Sequence, residues 1–301
     1  MTKEEFSLHY HDNRLEVELS RRTGKSFQDY FEQIMQRADP SFQMVKPMGK
    51  AGDWKSDGYS ASTSTIYQCY APEDLTAAKA MKKVREDFNG AKERWKEKMR
   101  AWTFVWSSAK HGLPPEVVSL LAELKTENPD LVIDDMGPAG LWRVVKELAI
   151  ADRETLLGCV PNLDDVPTTT AAEIQVLMKH LGSHDYVTSD TIDFDLTAIA
   201  EKLKRNGLSD AVTAMVRPAL PVARLVRDYV TSMPDPNFSQ AIAADLVEKY
   251  TQLVASSDDP DVIFGNLVEY VSGPHRLEPR FFWAAAGVVS HYFELCDIFE
   301  R

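Results

Sequence analysis

Short β-branched and aromatic runs occur only in about the first 165 residues of this 301-residue chain. Beyond Pro167 strand signals fade and the apolar patterns read as helical. Such a chain cannot close around a single sheet. It predicts two domains: a mixed α/β (α+β) domain over 1–165, with a sheet flanked by helices, and an all-α domain over 166–301.

In the first part, Phe27, Tyr30, Phe31, Ile34 and Met35 mark an amphipathic helix over 26–35. Short strands are expected at 42–46, 63–70, 102–107 and 131–134, and helices at 73–100, 115–125 and 141–148, the first interrupted at Asn89-Gly90. A linker is expected at 161–167. In the second part Thr170 and Glu173 form a capping-box pair ahead of a helix over 174–181. Further helices are expected at 196–208, 211–216, 221–233, 238–255, 261–271 and 281–300. The first 20 residues carry no strong period and read as a frayed end.

Composition narrows the functional classes. A hydrophobic fraction of 44% and a charged fraction of 27% suit a globular chain. No apolar run reaches membrane-spanning length, and no secretory signal is visible, so a cytoplasmic protein without membrane partners is expected. Three widely spaced cysteines fit a reducing compartment. The net charge of -12 argues against coating nucleic acid by bulk attraction, though not against a local basic surface.

The most informative stretch is Gly52-Asp53-Trp54-Lys55-Ser56-Asp57-Gly58, followed by Ile66-Tyr67-Gln68-Cys69-Tyr70. Alternation along the strand puts Gln68 and Tyr70 on one face and Cys69 on the other. If Asp57 ends the neighbouring strand, its carboxylate and the Gln68 amide can converge on one side of the sheet. A carboxylate, an amide oxygen and water suit Mg²⁺, which can activate water and stabilise charge on a phosphodiester.

This pattern, with Phe31-Glu32 on the preceding helix, resembles the PD-(D/E)XK nuclease superfamily, particularly its Mrr-type restriction branch. The resemblance covers roughly residues 20–75. It implies Asp57 as the metal-binding aspartate, Gln68 as the second half-motif, Glu32 as the first-helix acid, Asp53 as an accessory metal ligand, and Mg²⁺ or Mn²⁺ as cofactor. The lysine expected two residues after Gln68 is replaced by Tyr70, and Lys55 is the nearby substitute. Glu32 lies roughly 130° from the centre of its helix's apolar face, which leaves Glu18 as an alternative acid.

Residues 79–100 hold nine basic against four acidic side chains. Lys79, Lys82, Lys83, Arg85 and Lys92 are the candidate contacts to DNA phosphates. The opposing reading is a solvated helix laced with ion pairs such as Glu93–Lys96 and Glu97–Arg100.

The phrases YFELCDIFE at the C-terminus and IAEKLKRNGLSDAV at 199–212 resemble the C-terminal domain of ABC-three-component systems, relatives of the Lamassu anti-phage and anti-plasmid assemblies. That resemblance implies docking, through the helical domain, onto an SMC-like ABC ATPase subunit and a small middle subunit. Self-association on activation is compatible with it. The combined expectation is a metal-dependent DNA endonuclease effector; the alternative is a degraded nuclease fold that binds DNA or protein. Signals for other chemistries fail: Gly24-Lys25-Ser26 lacks the leading P-loop glycine, His180 and His184 lack the zincin glutamate, and no G-x-S-x-G is present.

Overall fold

The structure, a computed structural model, describes residues 2–45, 54–107, 112–181, 196–276, 278–295 and 298–299. Asp53, His184 and Cys296 of the sequence reading lie outside the described residues, as does the side chain of His180. The chain divides into two compact units, 18–156 and a second made of 1–17 with 157–301. A single cut near residue 165 therefore does not describe it, because the first 17 residues pack with the C-terminal unit.

In the first unit the order is α2 (Gly24–Ala38), β1 (Phe42–Met44), β2 (Gly58–Ser60), β3 (Thr65–Tyr70), α3 (Ala77–Trp95), β4 (Ala101–Trp106), α4 (Pro115–Glu127), β5 (Val132–Met136), α5 (Pro138–Val145) and α6 (Ile150–Leu157). The five strands form one mixed sheet in chain order, with β1–β2 and β2–β3 antiparallel and β3–β4 and β4–β5 parallel. One face is sealed by α3 and α4, whose Val84, Phe88, Leu120 and Leu124 are buried with Ile66, Trp102 and Phe104. On the other face Phe31 of α2 meets Tyr67 at 5.5 Å and Phe42 at 6.0 Å between ring centroids.

Asn89-Gly90 does not interrupt α3, contrary to expectation. A Cβ at Gly90 would stand 2.6 Å from Cγ of Lys55, so the glycine lets the lysine stem lie against the helix.

The second unit begins with residues 3–17 of α1 (Lys3–Ser20) and continues with α7 (Ala171–Leu181), α8 (Leu196–Arg205), α9 (Asp210–Thr231), α10 (Phe238–Ser256), α11 (Pro260–Ser272) and α12 (Pro279–Glu294). The frayed N-terminus is thus a helix. Its buried side includes Ser7, His11 and Asn13 beside Phe6, Tyr10 and Val17, which dilutes the hydrophobic period. Phe6 stacks on Trp283 at 5.6 Å, Asn13 donates to the Asp261 carbonyl at 2.8 Å, and Arg14 pairs with Glu269.

The two helices expected at 211–216 and 221–233 are one, running through Pro218 and Pro221. Val212, Val216, Ala219, Val222 and Val226 form a continuous buried stripe, and that packing outweighs the bonds the prolines remove. The last helix ends at Glu294 rather than residue 300, yet Ile298 and Phe299 still pack into the core. Among the described residues no helix is long and apolar enough to cross a membrane.

Candidate functional site

Asp57 stands immediately before β2, where its N–H donates to the Tyr67 carbonyl at 2.9 Å. This bond continues the antiparallel ladder and sets Asp57 beside the middle of β3. Gln68 Nε2 donates to Asp57 Oδ2 at 2.6 Å, and the Cys69 backbone N–H donates to the same oxygen at 2.7 Å. Both side chains are buried, at 7% and 5% exposure. The convergence expected of this pair is present. Ile66 and Tyr70 join the core on the α3–α4 side, so alternation places Gln68 on that face with them.

With its NH₂ turned to Asp57, Gln68 leaves Oε1 buried and without a hydrogen-bond partner. An orphaned amide oxygen beside a carboxylate is an incomplete polar site, since buried acceptors are normally satisfied.

Glu32 is 3% exposed and accepts from Gln28 Nε2 at 3.0 Å. Its angular distance from the apolar stripe would put it in solvent. Instead α2 packs against β1, β3 and α5, which closes more of its circumference. Glu18, the alternative acid, pairs with Arg22 at 2.5 Å. Burial pushes the Cys69 thiol well up, and the Asp57 and Glu32 carboxylates push it further while Lys25 and Lys83 oppose them. Cys69 is therefore a thiol with acidic and basic groups around it, not a nucleophile.

Tyr70 holds the position where a lysine is expected. Burial raises its phenol, so it contributes a neutral hydroxyl. Lys55 Nζ lies 3.2 Å from Asp87 Oδ1, and Lys83 Nζ lies 2.6 Å from Asp87 Oδ2. Sequence reasoning missed Asp87, which is wholly buried. The signal was available: Asp87 falls in the stripe Ala80, Val84, Phe88, Ala91, where an apolar residue belongs.

The candidate phosphate contacts are mostly engaged within the chain. Lys82 pairs with Glu86 at 3.8 Å, Arg85 with Glu123 at 3.2 Å, and Lys92 donates to Asn128 Oδ1. Of the five, Lys79 and Lys92 have no ion pair among the described residues, and the Lys92 ammonium is held by a neutral amide oxygen. Neither Glu93–Lys96 nor Glu97–Arg100 forms there, because α3 stops at Trp95 and Lys96 turns to a φ of 46°. The exposed cations Arg94, Lys96, Lys98 and Arg100 are left with no ion pair among the described residues.

Metal-ligand geometry is sparse. Among the described residues no group of three or more His, Cys, Asp or Glu side chains is arranged to hold a metal ion. Asp57 and Gln68 meet through the amide NH₂, so a cation shared by the carboxylate and Gln68 Oε1 requires the amide to turn over, which would also give the unsatisfied Oε1 a partner. In the second unit a shallow cleft is lined by Tyr10, Arg14, Cys159, Phe264, Glu269 and Phe282 among others.

Residues 172–300 match the family model of C-terminal domain 10 of the ABC-three component (ABC-3C) systems. This match indicates a component of such a system. Neither the curated proteins nor the solved structures include a significant match.

Proposed function

We propose that the chain is the effector of an ABC-three component system and acts on DNA as a metal-dependent endonuclease, with residues 18–156 carrying the chemistry and the C-terminal unit engaging the other subunits. The observation that carries the reading is the buried Asp57–Gln68 pair with its unpartnered amide oxygen. The mixed sheet between helices, with Asp57 at the start of β2 and Gln68 within β3, agrees with the arrangement implied by the restriction-endonuclease resemblance.

Asp57 and Gln68 would hold Mg²⁺ or Mn²⁺, which when bound supplies charge stabilisation and a more acidic water. The chain's own contribution is to fix the carboxylate, which the Cys69 N–H and the Gln68 amide orient. Glu32, buried on α2, packs on the sheet face opposite the Gln68 side chain and is left out of the site. Lys55, from the turn before β2, and Lys83 of α3 are both held by Asp87.

The test is DNA cleavage by the full chain with its ATPase and middle-subunit partners, in Mg²⁺ and Mn²⁺. Cutting by the parent that Asp57→Asn abolishes supports the reading; no cutting in either metal refutes it. The second reading is a nuclease fold retained for binding, favoured by Tyr70 at the lysine position and by Lys55 being committed to Asp87. It requires DNA binding without cleavage, unchanged by Asp57→Asn.

A further inference from the structure

We propose that Trp54, braced by Trp95 and Tyr59, is a stacking platform for an unpaired base of a single-stranded nucleic acid, whose phosphates are held by Arg94, Lys96, Lys98 and Arg100. The proposal deepens the endonuclease reading and rests on it only for the place of the scissile phosphate.

Trp54 is 40% exposed in a turn three residues before Asp57. It adopts a φ of 55°, followed by Lys55 at 56°. Bulky residues rarely occupy this left-handed region, and strain of this kind persists where surrounding structure enforces it. Here the enforcement is visible. The Trp54 ring meets Trp95 edge-on, at 5.7 Å and 79°, while Tyr59 stacks on Trp95 at 5.0 Å and 26°. Next door, Lys55 is anchored to Asp87 and its stem lies against Gly90. Two aromatic rings and a pinned lysine thus hold the Trp54 indole partly in solvent.

The charges beside this cluster identify the occupant. Arg94 and Lys96 flank Trp95 in sequence, and Lys98 and Arg100 follow, all exposed and without an ion pair among the described residues. In a chain of net charge -12, such a group attracts a polyanion. An apolar protein partner would need apolar neighbours, but the exposed residues at 92–94 and 96–98 are all charged. Aromatic faces interleaved with unpaired cations are how single strands are held without sequence preference. A paired base in a duplex is stacked on its neighbours and presents no free face.

The test uses the full chain carrying Asp57→Asn, in EDTA, with a labelled oligothymidylate of about 12 nucleotides and the matching duplex. The single strand is expected to bind more tightly than the duplex and to quench tryptophan emission. Trp54→Ala should weaken single-strand binding about 10-fold, and Trp54→Phe by less than about 3-fold. Arg94→Ala with Lys96→Ala should reduce the salt slope by about 1.4, at roughly 0.7 per phosphate on a single strand.

Trp54→Ala binding within about 2-fold of its parent, or equal affinity for duplex and single strand, would overturn the platform. Trp54-dependent binding by a chain that never cuts upholds the platform and sinks the endonuclease. Cutting that needs Asp57, together with binding indifferent to Trp54, does the reverse.

Discussion

Replacing Asp57 by alanine should cost folding free energy quite apart from any chemistry. The carboxylate Oδ2 is the acceptor for both Gln68 Nε2 and the Cys69 N–H, and Asp57 and Gln68 are buried. Alanine leaves two donors without an acceptor. Each buried orphan costs about 1–3 kcal/mol, so a loss of about 2–6 kcal/mol is expected. Asparagine keeps one carbonyl oxygen for the same two donors and loses only the charge assistance, for about 1 kcal/mol.

A urea titration of the full chain followed by tryptophan emission separates these cases. Trp54, Trp95, Trp102, Trp106 and Trp142 lie within 18–156 and only Trp283 lies in the other unit, so the signal reports mainly the unit that holds the site. The midpoint order should be parent, then Asp57→Asn, then Asp57→Ala well below both. An alanine midpoint equal to the parent's would refute the reasoning, because the donors must then find water and the site is not closed. The same ordering decides which variant tests catalysis. A dead Asp57→Ala proves little if the sheet around it has loosened.

Two predictions concern the helical unit. A Cβ on Gly287 would stand 2.5 Å from Val222 Cγ1 and 3.2 Å from the Val222 carbonyl carbon, so Gly287→Ala should lower stability by about 1–3 kcal/mol despite its better helix propensity; pairing it with Val222→Ala should recover part of that loss in thermal melts. His291 is pushed down to about 4, first by burial and then by the nearby Arg227, so the unfolded state binds the proton more readily; stability from this group is full above pH 6.5 and is lost as pH falls toward 4, by roughly 3 kcal/mol, a slope that His291→Gln should remove in acid titrations followed by circular dichroism.

Legibility from the sequence followed physical rules that can be named. The helix over 26–35 was readable because its apolar residues keep a single period, and the strand ending at Tyr70 because β-branched and aromatic residues are concentrated there between turn residues. The pairing of Asp57 with Gln68 was readable because strand alternation and a short turn leave few ways to join them. Three features were hidden. The buried side of α1 mixes Ser7, His11 and Asn13 with aromatics, so its period is faint. Pro218 and Pro221 announce a break that the packing of Val216, Ala219 and Val222 overrides. The commitment of Lys55 to Asp87 depends on a close approach across Gly90 that no local pattern encodes.

The charge pattern of α3 gains its meaning only from this packing. By count, residues 79–100 are a uniformly basic stretch, and any of their cations is an equal candidate for phosphate contact. In three dimensions the stretch is graded. Lys82, Lys83 and Arg85 face carboxylates at Glu86, Asp87 and Glu123, and a paired surface lysine offers a polyanion little net charge. Past Lys92 the helix ends, the backbone turns at Lys96, and the spacing that would have paired Glu93 with Lys96 is lost. The unpaired cations therefore gather at the C-terminal end of α3, where Trp95 carries the edge of Trp54. A chain of net charge -12 repels nucleic acid over most of its surface, so a local group of this kind sets the orientation in which a strand can approach. The end of one helix thus bears on substrate choice more than the total charge does.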